Sequence, residues 1–316
     1  MNHDNLMNQD TPMNHDTRNQ WRAIISPPVN IEPFHPLSSA MALEVAGDSV
    51  RGKWRAHNTD HYLAVRTGRL QETLITSLAA ADLPPRFEEY AYSMLVADGL
   101  GEDAGGARAS RVALSALAHL SIEYGKWNVR VNVDTTGDIV QQAEFLYRRA
   151  NDAVIEASRA HAELGDMASS LTAAYVAEDD LFLIHVGHSR AYLFRDGILT
   201  QVTATHTLDT HRPDGSRPTR FQRARQDLRH FVTETIGGRT TPEPAMEHLK
   251  LSVNDRLLLC TNGLTDVVTD DRIAHTLAAR RGPKEECRSL IDLAQEADGP
   301  DDVTVLVADY MLRRPS

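Results

Sequence analysis

Cysteine is scarce: Cys260 and Cys287 are the only two in 316 residues. There is no Cys-x-x-Cys and no Cys/His ligand spacing, which excludes a thiolate metal site and a disulfide scaffold and makes a reducing compartment the expectation. No run of about 18 apolar residues occurs, so no membrane span is expected. The start of the chain lacks a basic segment followed by an apolar one, so it does not read as a secretory signal. Positive charge is in deficit, with a formal net charge of -11 and a pI near 5.7. An acidic surface argues against a general hold on nucleic acid or on an anionic membrane, since phosphate backbones need clustered Lys and Arg. An acidic surface can still collect divalent cations. The expectation is a cytoplasmic monomer that engages neither nucleic acid nor membrane.

What is present is ordinary for a globular chain: 41% apolar and 24% charged residues, enough to bury a sizeable core. Met1-Asn2-His3-Asp4, Met7-Asn8-Gln9-Asp10 and Met13-Asn14-His15-Asp16 form a polar near-repeat, too poor in apolar residues to offset chain entropy. Prolines crowd the stretch that follows. Residues 1–45 are therefore expected to be a disordered or extended N-terminal segment, and 46–312 one domain, because no linker divides that region.

Within the domain, Tyr62–Val65 and Tyr92–Ala97 read as strands, the second ending at Asp98-Gly99. Ala109–Leu120 and about 138–163 carry helical apolar spacing and are expected to pack as a pair. Leu171–Val176, Leu181–Val186 and Ala191–Phe194 are three short apolar runs with turn residues between them, and Asp196-Gly197 carries a hairpin signal. Arg256–Cys260 is a buried-type strand, two helices follow near 270–280 and 284–297, and Val303–Val307 closes the pattern. Strands at both ends with helix pairs between them predict an α+β fold: two packed antiparallel sheets, a β-sandwich, flanked by helix pairs in αββα layers.

Four acidic or amide turns sit at strand ends: Asn58-Thr59-Asp60, Asp98-Gly99, Asn262-Gly263 and Asp301-Asp302. Hard cations such as Mg²⁺ and Mn²⁺ take oxygen ligands from carboxylates, carbonyls and water. A glycine beside a carboxylate lets the backbone approach, so its carbonyl can serve as well. Each turn alone is equally well explained as a structural Asx turn.

Their order and context resemble the type 2C protein phosphatases. The similarity lies in Val96-Ala97-Asp98-Gly99-Leu100-Gly101 with Gly105-Gly106-Ala107-Arg108-Ala109-Ser110, in Ser170–Ala173, in His185-Val186-Gly187-His188-Ser189-Arg190-Ala191-Tyr192, in the run from Asp255 to Asp266, and in Gly299–Val305. Five ordered matches cover most of the chain from 46 to 309. The resemblance implies a metal-dependent protein serine/threonine phosphatase that binds two Mn²⁺ or Mg²⁺ ions and hydrolyses phosphomonoesters with a metal-activated water. It implies Asp98, the Gly99 carbonyl, Asn262 and Asp301 as metal ligands, Asp60 as a catalytic residue, and Arg55 as the catalytic residue that binds the phosphate of a phosphoserine or phosphothreonine protein, in opposition to a protein kinase.

The chain also departs from the family pattern. Thr59 stands where the family has the Glu that orients metal-bound water, and Asn262 where it has Asp, which keeps an oxygen but loses a charge. Asp266, four residues on, can compensate if the turn is helical. Asp302 replaces an Asn. His188 replaces an Asp and reads either as a ligand or proton donor, with His185 on the same strand face, or as a locally bonded turn residue. Glu102 and Asp103 read as holders of hydrated metal or as solvated surface. Six arginines between Thr207 and His230 read either as a steering patch for anionic substrate or as an ordinary helix face. The alternative function is a weakened or inactive phosphatase-like scaffold that binds a phosphoprotein.

Overall fold

The computed structural model describes residues 40–79, 87–100, 104–125, 131, 133–164, 167–203, 234–238 and 242–313. The N-terminal repeat, Glu102, Asp103 and the six-arginine stretch lie outside these residues.

Ten strands form two antiparallel sheets. One holds β1 (Met41–Val50), β10 (Val303–Leu312), β9 (Arg256–Cys260), β6 (Arg190–Arg195) and β7 (Ile198–Gln201), in that order. The other holds β2 (Asp60–Gln71), β3 (Phe87–Leu100), β4 (Ala168–Ala177), β5 (Asp180–Val186) and β8 (Ala245–Lys250). Helices α1 (Ala104–Tyr124) and α2 (Val133–Ala160) pair on the outer face of the second sheet. The one-turn α3 (Asn262–Thr265), α4 (Asp270–Ala278) and α5 (Pro283–Glu296) cover the first. The αββα sandwich expected from the sequence is therefore present.

The period-two alternation of the strands builds three apolar layers. Met94 and Val96 of β3, Leu257 and Leu259 of β9, and Leu306 and Ala308 of β10 meet between the sheets. Their odd-one-out neighbours point outward: Leu95 and Ala97 pack under α1 and α2, while Leu258, Cys260, Val305 and Val307 pack under α4 and α5. Both cysteines are free and buried in that outer layer, and burial pushes each thiol up to about 12.

Three features differ from the sequence reading. β1 begins at Met41, ahead of the boundary near 46, because it pairs along its whole length with β10, from Met41 opposite Leu312 to Val50 opposite Val303. β3 runs on through Asp98-Gly99, which are ladder residues rather than a turn, since β4 pairs with them as far as Leu100. β8 and β7 are edge strands that the reading did not separate, as their mixed exposure gives little alternation. The Asp196-Gly197 hairpin is as expected, with both residues at positive φ.

Candidate active site

The inner faces of the strands change character at one end of the sandwich. On β3 the inward series Met94, Val96 continues to Asp98; on β9 Leu257, Leu259 continues to Thr261; on β10 Ala308, Leu306 continues to Thr304 and Asp302. The register sets Asp60, the first residue of β2, directly opposite Asp98. Directly opposed residues share a face. The apolar layer between the sheets thus ends in a plug of carboxylates and hydroxyls.

These carboxylates are nearly dry: Asp60 is 4% and Asp98 5% exposed. Burial holds Asp98 well above the ordinary carboxylate range, with Asp60 and Asp301 adding repulsion and Arg55 partly offsetting it. Burial likewise raises Asp60 to about 7; the Thr261 and Thr304 hydroxyls oppose this, and Asp302 and Asp301 add to it. The Thr261 hydroxyl donates to Asp60 Oδ2 at 2.7 Å. His188 Nδ1 lies 3.5 Å from Asp98 Oδ2, so this histidine belongs to the site. His185 does not: its ring nitrogens engage the Thr172 hydroxyl at 2.7 Å and the Gly187 carbonyl at 2.9 Å. Arg55 reaches in from the β1–β2 loop and donates from Nε (2.9 Å) and Nη2 (2.5 Å) to Asp301 Oδ1.

Asp302 holds that loop. Its Oδ1 accepts from the Gly52 amide at 2.7 Å, and its Oδ2 from the Thr59 amide at 2.7 Å and the Thr59 hydroxyl at 2.9 Å. The extra charge beside Asp301 is thereby committed to backbone and hydroxyl donors, and the Thr59 hydroxyl is committed to Asp302. The Thr59 carbonyl accepts from the Gly99 amide (3.1 Å) and the Ser110 hydroxyl (2.5 Å), which ties the loop to β3 and α1. Two glycines permit this closeness. A Cβ on Gly99 would lie 2.1 Å from the Gly106 carbonyl oxygen, and one on Gly263 2.0 Å from that of Asp302.

Asn262 opens α3. The Asp266 amide bonds to its carbonyl at 2.8 Å, so the turn is helical, and Asn262 Nδ2 donates to Asp266 Oδ2 at 3.0 Å. That bond fixes the amide orientation and leaves Asn262 Oδ1 buried with no hydrogen-bond partner among the described residues; Asp60 Oδ1 is in the same condition. Buried oxygens normally have partners. Two orphaned oxygens amid mutually repelling carboxylates fit a hard divalent cation, whose charge and oxygen preference would satisfy both.

The structure therefore brings Arg55, Asp60, Asp98, Gly99, Asn262 and Asp301 to one end of the sandwich. It adds Thr261, Thr304, Ser110 and His188 to the cluster. The inward parity of Thr261 and Thr304, two steps beyond Leu259 and Leu306, is the sequence signal that could have found the first two. A second acidic group, Glu178, Asp179 and Asp180, lies at the opposite end, since β4 runs from its pairing with Asp98 at Ser170 to the β4–β5 turn.

A family model described as Protein phosphatase 2C matches residues 86–294. The serine/threonine protein phosphatase PstP of Mycobacterium tuberculosis is 34% identical over 218 residues, 69% of this chain and 40% of that protein. The chain thus spans about two fifths of the length of this curated relative. A crystal structure of the M. tuberculosis phosphatase PstP/Ppp superposes with a TM-score of 0.63 at 29% identity, covering 84% of this chain and 98% of that one. The catalytic domain of PstP in complex with two manganese ions gives 0.60 at 28%, covering 86% and 99%. With the family model matching more than half of the chain, from the start of β3 into α5, the chain belongs to the protein phosphatase 2C family.

Proposed function

We propose that this chain is a metal-dependent protein serine/threonine phosphatase that hydrolyses phosphomonoesters of phosphoserine and phosphothreonine proteins, with 41–312, from β1 to β10, as its catalytic unit. The observation that carries the reading is the Asp60–Asp98 pair: two buried carboxyls held opposite each other by strand register, beside an orphaned amide oxygen. Asp98, the Gly99 carbonyl, Asn262 and Asp301 are the groups that would hold two Mn²⁺ or Mg²⁺ ions, as the relative with two manganese ions suggests. Bound there, the cations supply a water activated near neutral pH and neutralise phosphate charge.

The chain's own residues do the rest. Arg55 spends two donors on one oxygen of Asp301; were that carboxylate to hold a cation, the guanidinium fork would suit two phosphate oxygens. In the metal-free protein burial raises the Asp60 carboxyl to about 7, and the Thr261 hydroxyl keeps its Oδ2 oriented. Asp302 fixes the loop from which Arg55 acts. In the cell we read the protein as a cytoplasmic monomer opposing a protein kinase; two buried free thiols accord with a reducing compartment. No helix among the described residues is long and apolar enough to cross a membrane.

The test is hydrolysis of an aryl phosphate and a phosphothreonine peptide across a Mn²⁺ titration. Saturable, Mn²⁺-dependent turnover of both is expected. Absence of turnover at every Mn²⁺ concentration, with peptide binding retained, would replace this reading with that of a phosphoprotein-binding scaffold.

A further inference from the structure

Arg55 ends a tight turn. Its amide donates to the Gly52 carbonyl at 3.2 Å, so Lys53 and Trp54 occupy the two corner positions. Corners of turns favour Gly, Pro, Asn, Asp and Ser, for conformational and solvation reasons that do not apply to tryptophan. Trp54 is nevertheless 75% exposed there.

The turn is well anchored around it. Asp302 takes the Gly52 amide at one end of the loop and Thr59 at the other. Lys53 donates to Asp298 at 2.8 Å, and its ammonium stands 5.5 Å from the centre of the Trp54 ring. The indole is thus an aromatic surface on an anchored corner, one residue from Arg55 and about 3.8 Å from it between Cα atoms. A peptide whose phosphate is gripped by Arg55 can reach that ring from a position next to the phosphorylated residue. The chemistry of its flank follows from Lys53: an ammonium, paired with Asp298, already takes the place of a cation by the ring, whereas an apolar side chain can cover the indole without charge conflict.

We infer that Trp54 is a specificity-determining residue that receives an apolar side chain adjacent to the phosphorylated residue of the substrate. This rests on the reading of Arg55 as the phosphate-binding group.

The experiment compares two phosphothreonine peptides, one with leucine on both sides of the phosphothreonine and one with serine there, in wild type, Trp54→Ala and Trp54→Phe. Wild type is expected to prefer the leucine peptide about fivefold in kcat/KM, chiefly through KM. Trp54→Ala should bring the ratio near one, and Trp54→Phe should retain most of it. The same ratio in all three proteins would overturn the inference while leaving phosphatase activity established. If neither peptide is turned over, the proposed function fails, and calorimetric titration of the same peptides into the full chain with Mn²⁺ decides the inference separately. A leucine preference in affinity that Trp54→Ala abolishes sustains it; equal affinities for the two peptides overturn it.

Discussion

The two ends of the sandwich each gather carboxylates, and they treat them differently. At the β4–β5 turn, Asp179 and Asp180 receive Lys250 at 2.8 and 3.0 Å, and His248 donates to Asp180 at 2.7 Å. At the other end, among the described residues, no lysine is bonded to Asp60 or Asp98; His188 lies 3.5 Å from Asp98, and Arg55 donates to Asp301. Each cluster has carboxylate oxygens enough for a cation. The nearby positive charge separates them: one cluster has a lysine bonded to two of its three carboxylates, while in the other Asp60 and Asp98 are held opposite each other by strand register. An acidic cluster becomes a metal site where the fold supplies the oxygens and withholds the counter-charge.

The largest effect that would break this contrast comes from Asp98→Ala. Metal-dependent hydrolysis should fall by more than the roughly 10–100-fold typical of losing a supporting contact around a metal. The fold should persist, because Asp98 ends an inner strand face instead of filling the core. A folded Asp98→Ala protein with wild-type turnover would refute the assignment. Next comes Asn262→Asp. A unit charge about 4 Å from a cation contributes roughly 4 kcal/mol at an effective dielectric of about 20, so the Mn²⁺ concentration for half-maximal activity should drop by up to about three decades. The new carboxylate would face Asp266 where the amide now donates at 3.0 Å, so the metal-free variant should melt lower and the Mn²⁺-loaded one higher. Identical metal curves for variant and wild type would remove Asn262 from the site.

A smaller effect appears in the metal-free protein as pH changes. Asp60 and Asp98 have folded-state values raised above the unfolded ones, so the folded state holds their protons more tightly. Their contribution to stability is therefore full below about pH 4; that of Asp60 is lost as pH rises through about 7, and that of Asp98 as pH rises through its own raised value. Asp98→Asn removes the repulsion between the pair, so the melting temperature should decline less across that window than in wild type, and saturating Mn²⁺ should flatten the wild-type curve. Parallel curves for the two metal-free proteins would show that the pair does not repel. The smallest effect belongs to the opposite cluster: Asp179→Ala should change stability by no more than about 0.5 kcal/mol, because the Lys250 partner is solvent-exposed. A shift in the Mn²⁺ requirement of that variant would overturn the contrast between the two ends.

The sequence made the sandwich legible wherever a strand is buried on both faces or flanked by clear turns, as in Leu181–Val186 and Arg256–Cys260. It was silent where pairing supplies the order. Met41–Val50 contains Glu44, Gly47, Asp48 and Ser49 and becomes a strand by lying along β10. Arg55, Asp60, Asp98, Asn262 and Asp301 were legible as a group through family resemblance, since any one of them alone is an unremarkable turn residue. The use of Asp302 was not legible. Its partners Gly52 and Thr59 are 250 and 243 positions away, and nothing local to Asp301-Asp302 distinguishes a second ligand from a loop clamp.

The pairing of β1 with β10 has a consequence for how the protein is made. The first described strand and the last lie side by side, and the Asp302 clamp joins the residues just after one to those just before the other. During synthesis, Asp60 and Asp98 leave the ribosome some two hundred residues before Asp301 and Asp302. Until β10 arrives, the early acids have neither the loop clamp nor the far wall of the site, and such long-range closure is slow. Metal binding is therefore expected to begin only once β10 docks. A nascent chain stalled before Val303 should show no Mn²⁺-dependent protection from protease, while the released full chain should show it.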